Sequence, residues 1–418
     1  MVGFKANGTG AVATTMQSKL RESVSVKDFG AVGDGVTDDT AAIQAAIDTN
    51  TKLVFIPEGT YKITSSLRLA FGQNLMGFGW WGTILNWRPT SDIVCVRNKT
   101  GATYCGISNL QINSISDTNY AAQFNTSYGN FVKDCRIHGR FDIGIILHDT
   151  YVCNIKNVDT TGTWFKRIIV AISSASNAHV VDRLHTSSLP TDAGTPLIGV
   201  AIEGGQGNVV RDSLFQGQTI GVYIAGGAVS TEINNPYFEN TVCNIKTGDN
   251  TRISDSMSTL ITGGSFGTPY PDHSQYASRG PVVYTPRTSN LTFVNPGFHL
   301  TGSSGVSTGP FPILTTFTTA MISIHGGRHY NGTLRNLVMR DTNGASPSLT
   351  ITGGTYGTFN AQELVLKVDG AWAGWSAGIR VDNTGVVSAS TFQPPVITGS
   401  VSALLNSAMP NIASLVQA

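Results

Sequence analysis

The sequence predicts an all-β fold: a single-stranded parallel β-helix, or solenoid, closed at its amino-terminal end by a short capping α-helix. Three observations carry that prediction. A short pattern recurs about every 27 residues, charge is scarce while glycine is abundant, and one acidic segment near the amino terminus has helical spacing.

The repeat runs apolar, variable, then Asn, Asp or Gly, and returns to an apolar or aromatic residue three places later. It reads "ISNLQI" at Ile107, "VKDCRI" at Val132, "IKNVDT" at Ile155, "VDRLHT" at Val181 and "VRDSLF" at Val210. It continues as "INNPYF" at Ile233, "ITGGSF" at Ile261, "FVNPGF" at Phe293, "IHGGRH" at Ile324 and "ITGGTY" at Ile351, with anchors 23 to 32 residues apart. Short β-type segments, with a residue that tolerates a left-handed turn between them, are what one coil of a parallel β-helix requires. Stacking coils about 4.8 Å apart places the sixth positions in one interior column. That column is Ile112, Ile137, Thr160, Thr186, Phe215, Phe238, Phe266, Phe298, His329 and Tyr356. A leucine-rich repeat would need recurrent leucines, which are missing.

Composition agrees with a turn-rich solenoid. Charged residues are 13% of the 418, against roughly 25% in an average soluble protein. A net charge of +1 without basic runs argues against nucleic acid or an anionic membrane as partner. No apolar run reaches the ~18 residues of a membrane span, and the start "MVGFKANGTG" does not read as a signal peptide. Five cysteines without C-x-x-C spacing read as buried thiols, so no disulfide framework, metal site or cofactor is expected.

The stretch "DFGAVGDGVTDDTAAIQAAID", residues 28–48, holds five aspartates. A calcium loop starting at Asp34 would need Gly at its sixth place and Glu at its twelfth, and finds Asp39 and Ala45. Ala42, Ile43, Ala46 and Ile47 instead recur at helical spacing, with Asp38, Asp39 or Thr40 placed to cap the helix. Such a helix covers the open first coil of a solenoid.

Residues 16–63, "MQSKLRESVSVKDFGAVGDGVTDDTAAIQAAID" followed by "VFIPEGTYKI", resemble the start of the pectate-lyase-like right-handed β-helix of bacteriophage tailspike proteins. The resemblance implies a parallel homotrimer, attached to a virion tail directly or through an adaptor protein. It implies binding, and usually cleavage, of a bacterial surface polysaccharide (capsule or O-antigen), by a protein made in the host cytoplasm and carried on the virion. The organisation expected is a neck over residues 1–26, the β-helix start with its helix over 27–75, the right-handed β-helix over 76–360, and a carboxy-terminal region over 361–418 that closes the end and aids trimerisation.

Signatures of other β-helix enzymes are not found. The "NTD", paired "DD", "GHG" and "RIK" set of polygalacturonases is absent, the one "DD" being the helix cap, as is the "DPHD" of alginate epimerases. Candidate site residues therefore come from strand alternation, which turns the residue after the core column outward. That outward column holds His138, Gln216, Glu239 and His299, and two places earlier stand Arg136, Asp159, His185 and Tyr237. Parallel leads in "GIILHD", "GVAIEGG" and "GVYIAGG" place His148, Glu203 and Ala225 in another column. Glycoside hydrolysis usually needs two carboxyl groups, ~5 to 9.5 Å apart. Glu239 and Glu203 are the catalytic candidates, expected on adjacent strands about two coils apart, with Asp212 between them. For Asp212 a turn residue satisfying backbone amides is the favoured reading, and either glutamate can equally be solvated surface. Tyr237, Gln216, His185, Asp159 and His148 are the candidate substrate-binding residues. The longest insertions add Tyr270, Tyr276, Tyr284, Arg279 and Arg287 as possible glycan contacts. A lyase using His or Tyr, and a spike that binds glycan without cutting it, are the rival readings.

Overall fold

The computed structural model describes residues 2–187, 196–239, 241–248, 258–267, 283–285, 290–299, 313–315, 321–330, 336–340, 348–352, 363–369, 376–382 and 387–392. The chain winds through three parallel sheets, called A, B and C here. In one coil Ile198–Glu203 lies in sheet A, Val209–Arg211 in sheet B and Leu214–Gln216 in sheet C. The next coil repeats the order with Ile220–Ala225, Thr231–Asn234 and Tyr237–Glu239, each strand pairing in parallel with its predecessor. The predicted parallel β-solenoid is the fold.

The corner between sheets B and C explains the repeat. Asn109, Asp134, Asn157, Arg183, Asp212, Asn235, Gly263, Asn295 and Gly326 stand at its third position, each with φ between 49° and 67°. That left-handed region suits Asn, Asp and Gly, so the sequence pattern is the footprint of one backbone requirement. The side chains also stack: Asn157 donates to Asp134 at 2.7 Å, and Asn235 to Asp212 at 3.0 Å. Arg183 adopts the same conformation without the favoured chemistry.

The sixth-position column is interior. Ile112, Ile137, Thr160, Thr186, Phe215, Phe238, Phe266 and Phe298 are all buried. Register pairs Phe215 with Phe238, Phe238 with Phe266, and Phe266 with Phe298, at ring separations of 5.2, 5.4 and 5.3 Å. His329 continues the register, while its side chain and the whole of Tyr356 lie outside the described residues.

Sheet A is buried on both faces. Inward stand Ile145, Val170, Val200, Val222 and Ile245; outward, in register, stand Ile146, Ala171, Ala201, Tyr223 and Lys246, all buried. The Lys246 ammonium lies 5.8 Å from the ring centres of both Tyr223 and Tyr284. Tyr284, expected on a glycan-binding loop, pairs in register with Lys246 and is buried there. Tyr270, Tyr276, Arg279 and Arg287 lie outside the described residues.

The five opening aspartates are all built into the structure. Asp28 closes a capping box with Ser25 on the short helix Val26–Phe29. Asp34 accepts from the Val36 and Thr37 amides, and these bonds, Thr37 first, hold its carboxyl below the usual range. Asp38 takes the Thr40 amide and hydroxyl at the start of helix Thr40–Asp48, and also the Thr64 hydroxyl. Asp39 precedes that helix yet does not cap it with its side chain; it accepts from Val32 and Gly33 at 2.5 and 3.0 Å, tying down the preceding turn. Asp48 accepts from Gln44 and Lys99. The helix buries Ile43, Ala46 and Ile47 in the main core and packs against strand Leu67–Leu69.

Besides the solenoid sheets, Gly3–Lys5 forms an antiparallel hairpin with Ala13–Thr15. A four-stranded sheet joins Asn336–Arg340, Glu363–Asp369, Ser376–Asp382 and Val387–Phe392, so one of its strands lies ahead of position 361. Among the described residues no helix is long and apolar enough to cross a membrane.

Candidate functional site

Sheet A is buried on both faces, and the outer faces of sheets B and C both present polar side chains; those the alternation singled out lie mainly on sheet C. Register runs Gln111, Arg136, Asp159, His185, Leu214 and Tyr237 along one column. A neighbouring column pairs Asn113 with His138, and Ser187 with Gln216 and then Glu239. Tyr237 is exposed, and Gln216 and Glu239 are half-buried beside the Phe215–Phe238 core stack. Tyr237, Gln216 and Glu239 thus share a face with Asp159 and His185.

Asp159 is the centre of an ion-pair cluster on this face. Its carboxylate lies 3.2 Å from Arg136 Nε and 3.5 Å from His185 Nδ1, and it accepts from the Thr161 hydroxyl at 2.6 Å. The Arg136 guanidinium lies over the Trp80 ring at 5.3 Å, a cation–π contact that leaves the indole beside the acid–base pair. Burial, and then the Arg136 charge, push the nearby His138 imidazole below its ordinary range, with Asp159 opposing them. Trp80 carries no repeat signal; its cue is the "WW" in the first full coil, which period counting passes over.

The expected pairing of Glu239 with Glu203 is not formed. Glu203 stands at the sheet B end of its sheet A strand, in register with Ser173 and Ala225, and is 6% exposed. Glu239 instead ends its sheet C strand, four residues before Cys243, which opens the sheet A strand and aligns with Ile220 and Ile198. From Ile198 to Glu203 the strand spans about 16 Å. The two carboxylates therefore lie at opposite ends of sheet A strands. His148 belongs with Glu203, and Ser173, absent from the expected column, lies between them and contacts His148 Nδ1 at 2.8 Å. Asp212 sits at the left-handed corner with its carboxylate engaged by Asn235. The His299 side chain lies outside the described residues.

Residues 23–261 match the family described as Rhamnogalacturonase A/epimerase, pectate lyase-like. The chain belongs to that family. A curated relative of this pectate-lyase-like chain is the tail spike protein of Shigella phage Sf6, 28% identical over 215 residues, 48% of this chain and 30% of that protein. The first curated relatives are each spanned over less than a third of their own length. Among solved structures, the tailspike of E. coli bacteriophage HK620 in complex with pentasaccharide superposes with TM-score 0.64 at 15% identity. The match covers 89% of this chain and 71% of that one. The N-terminal fragment of bacteriophage Phi29 gene product 12 gives 0.60 at 16%, over 87% and 73%. At these identities the agreement concerns the fold alone.

On this pectate-lyase-like scaffold, sheet C offers a carboxylate–imidazole pair, a guanidinium and aromatic rings within one exposed face. Such groups can transfer protons and stack on sugar rings. No three His, Cys, Asp or Glu among the described residues are grouped to hold a metal ion. Burial pushes the Cys105, Cys135 and Cys243 thiols up to about 12, which leaves them inert as nucleophiles.

Proposed function

We propose that this chain is the β-helical body of a phage tailspike that binds and cleaves a bacterial surface polysaccharide along the outer face of sheet C. The observation that carries this reading is the shared column of Arg136, Asp159, His185 and Tyr237 on that face, with Glu239 and Gln216 beside it. Family membership and the named tailspike relatives support it. Hydrolysis of internal glycosidic bonds is the first reaction considered. Glu239 would protonate the departing glycosidic oxygen while a water from solvent adds at the anomeric carbon and releases its proton to solvent. Gln216 one coil earlier would hold sugar hydroxyls, and Tyr237 would stack on a ring. A parallel homotrimer on the virion tail, docked directly or through an adaptor, is the assembly in which it would work.

The Asp159 cluster favours a second reading, elimination from a uronate. His185, oriented by Asp159, would take the proton beside the carboxylate while Arg136 neutralises that carboxylate. The C4–O bond to the departing sugar breaks as the double bond forms, and the departing oxygen takes up a proton from water. Asp159 and Tyr237 lie three coils apart, about 14 Å, so the two centres would engage different sugars of one chain. One experiment separates the readings. Purified capsules and O-antigens are incubated with the protein, and product size, new reducing ends and unsaturated-uronate absorbance are followed. Hydrolysis gives shorter chains without absorbance, elimination gives both, and intact polymer with retained binding leaves an adhesin.

A further inference from the structure

Sheet C has a second edge, at its corner with sheet A, beyond the Asp159 cluster. Arg136, His138 and Arg140 leave the same side of strand Phe131–Tyr151, among Cys135, Ile137 and Phe141, which are buried. Arg140 is in register with Ile115 on the preceding coil and with Trp164 on the following one. Ile115 and Trp164 are 65 and 55% exposed, and the Arg140 side chain 53%. Arg136 and Arg140 stand four residues apart, about 13 Å along the strand. The column of Arg136, Asp159 and His185 and the column of Ile115, Arg140 and Trp164 therefore run side by side, with Asn113 and His138 between them.

Trp164 is fixed in that place from both sides. Thr163 before it is buried and donates its hydroxyl to the Ile137 carbonyl at 2.6 Å, and Phe165 after it stacks on Phe141 at 6.0 Å. Asp159 and Trp164 are five residues apart where Arg136 and Arg140 are four, so this coil carries one extra residue, taken up at the turn Thr160–Thr163. Such one-residue insertions re-aim the side chain that follows and recur next to active sites. Arg136 lies over the Trp80 ring, whereas no ring or cation among the described residues lies against the Trp164 indole. Arg140 pairs with Asp117 at 3.1 Å, and both partners are exposed, so the pair is weak and its donors can pass to a ligand. A protein partner would call for a contiguous apolar patch, and here a charged residue parts the two apolar ones. An apolar ring beside hydrogen-bond donors suits a pyranose, which has an apolar face and an edge of oxygens.

We infer that Trp164 and Arg140 form the second wall of the sheet C groove and hold a sugar residue across from Asp159 and His185. The indole stacks on the ring, and the guanidinium donates to its hydroxyl or carboxylate oxygens. The inference rests on the sheet C reading and extends that site to the sheet A corner. Its test is affinity electrophoresis of the full chain in gels containing purified capsules and O-antigens, with oligomeric mass and unfolding midpoint as controls. Wild type is compared with Trp164→Ser, Trp164→Phe, Arg140→Gln and Tyr237→Ser. Trp164→Ser should raise the dissociation constant about tenfold and Arg140→Gln about threefold, while Trp164→Phe, which keeps a ring, should recover most of the loss. Wild-type affinity in Trp164→Ser overturns the wall, as does an equal loss in the serine and phenylalanine variants. A changed oligomeric mass in Trp164→Ser overturns it in favour of a subunit contact. If Tyr237→Ser alone weakens binding, the wall falls and the sheet C reading stands. Wild-type protein retarded by no polymer overturns both.

Discussion

Phe238 fills the space that a side chain at Gly221 would need: a Cβ there would lie 2.4 Å from the Phe238 ring, and one at Gly199 2.6 Å from Phe215. The two rings stack at 5.2 Å. The aromatic column of sheet C and the glycine column of sheet A are thus one packing unit. Phe238→Ala should cost about 3 to 5 kcal/mol by opening a cavity, and Gly221→Ala about 1 to 3 kcal/mol by overpacking. Because the sites touch, the double variant should lose less than the sum. Denaturant unfolding checks all three, and full additivity would argue against the contact.

Asp39 is 1% exposed and holds the Val32 and Gly33 amides. Asp39→Ala should destabilise by about 1.5 to 3 kcal/mol, the range for hydrogen bonds to a buried charge. Since each of the five acids has a structural partner, calcium and a chelator should leave the unfolding midpoint unchanged. A calcium-dependent rise of several degrees would restore the metal-loop reading.

His179 is fully buried, with Nδ1 accepting from the Cys153 amide at 2.9 Å and Nε2 3.1 Å from the Thr150 hydroxyl. Burial holds its imidazole neutral and pushes its pKa down to about 4, with the hydrogen bonds opposing. The unfolded chain binds a proton there from about pH 6.5, so stability is full above that and falls as pH drops toward 4. The loss should approach 3 kcal/mol from this group. His179→Asn should flatten this part of the pH profile; an imidazole that titrates near 6.5 in the folded protein would refute it.

Much of this fold is legible in the sequence, because one backbone requirement leaves one chemical trace. The left-handed corner selects Asn157, Asp212 or Gly263, and the core column selects Phe215 and Phe238, so period and register follow. The site is less legible. Alternation shows that Glu203 and Glu239 leave the plane of their strands, but spacing does not show that a sheet boundary parts them. Gly199 and Gly221 open strand leads in the sequence, but nothing local shows that the phenylalanine rings exclude a side chain there. Trp80 and Ser173 meet Arg136 and His148 only across coils, where no local pattern points.

The assembly is expected to be a trimer. Light scattering at micromolar concentration should give three times the 44.2 kDa chain mass. A single chain mass would remove the trimer from the account.

The central claim is that polysaccharide is bound and cut on the outer face of sheet C. Its most direct test is the rate at which polymer size falls with wild type, Glu239→Gln and Asp159→Asn, measured on a polysaccharide the wild type degrades. Both side chains are half-buried and outward, so either amide should fold normally. At least one variant should lose about 10²-fold or more in rate, the usual contribution of a proton-transfer group, while polymer binding and oligomeric mass persist. Wild-type rates from both variants would contradict the claim and move the chemistry off this face.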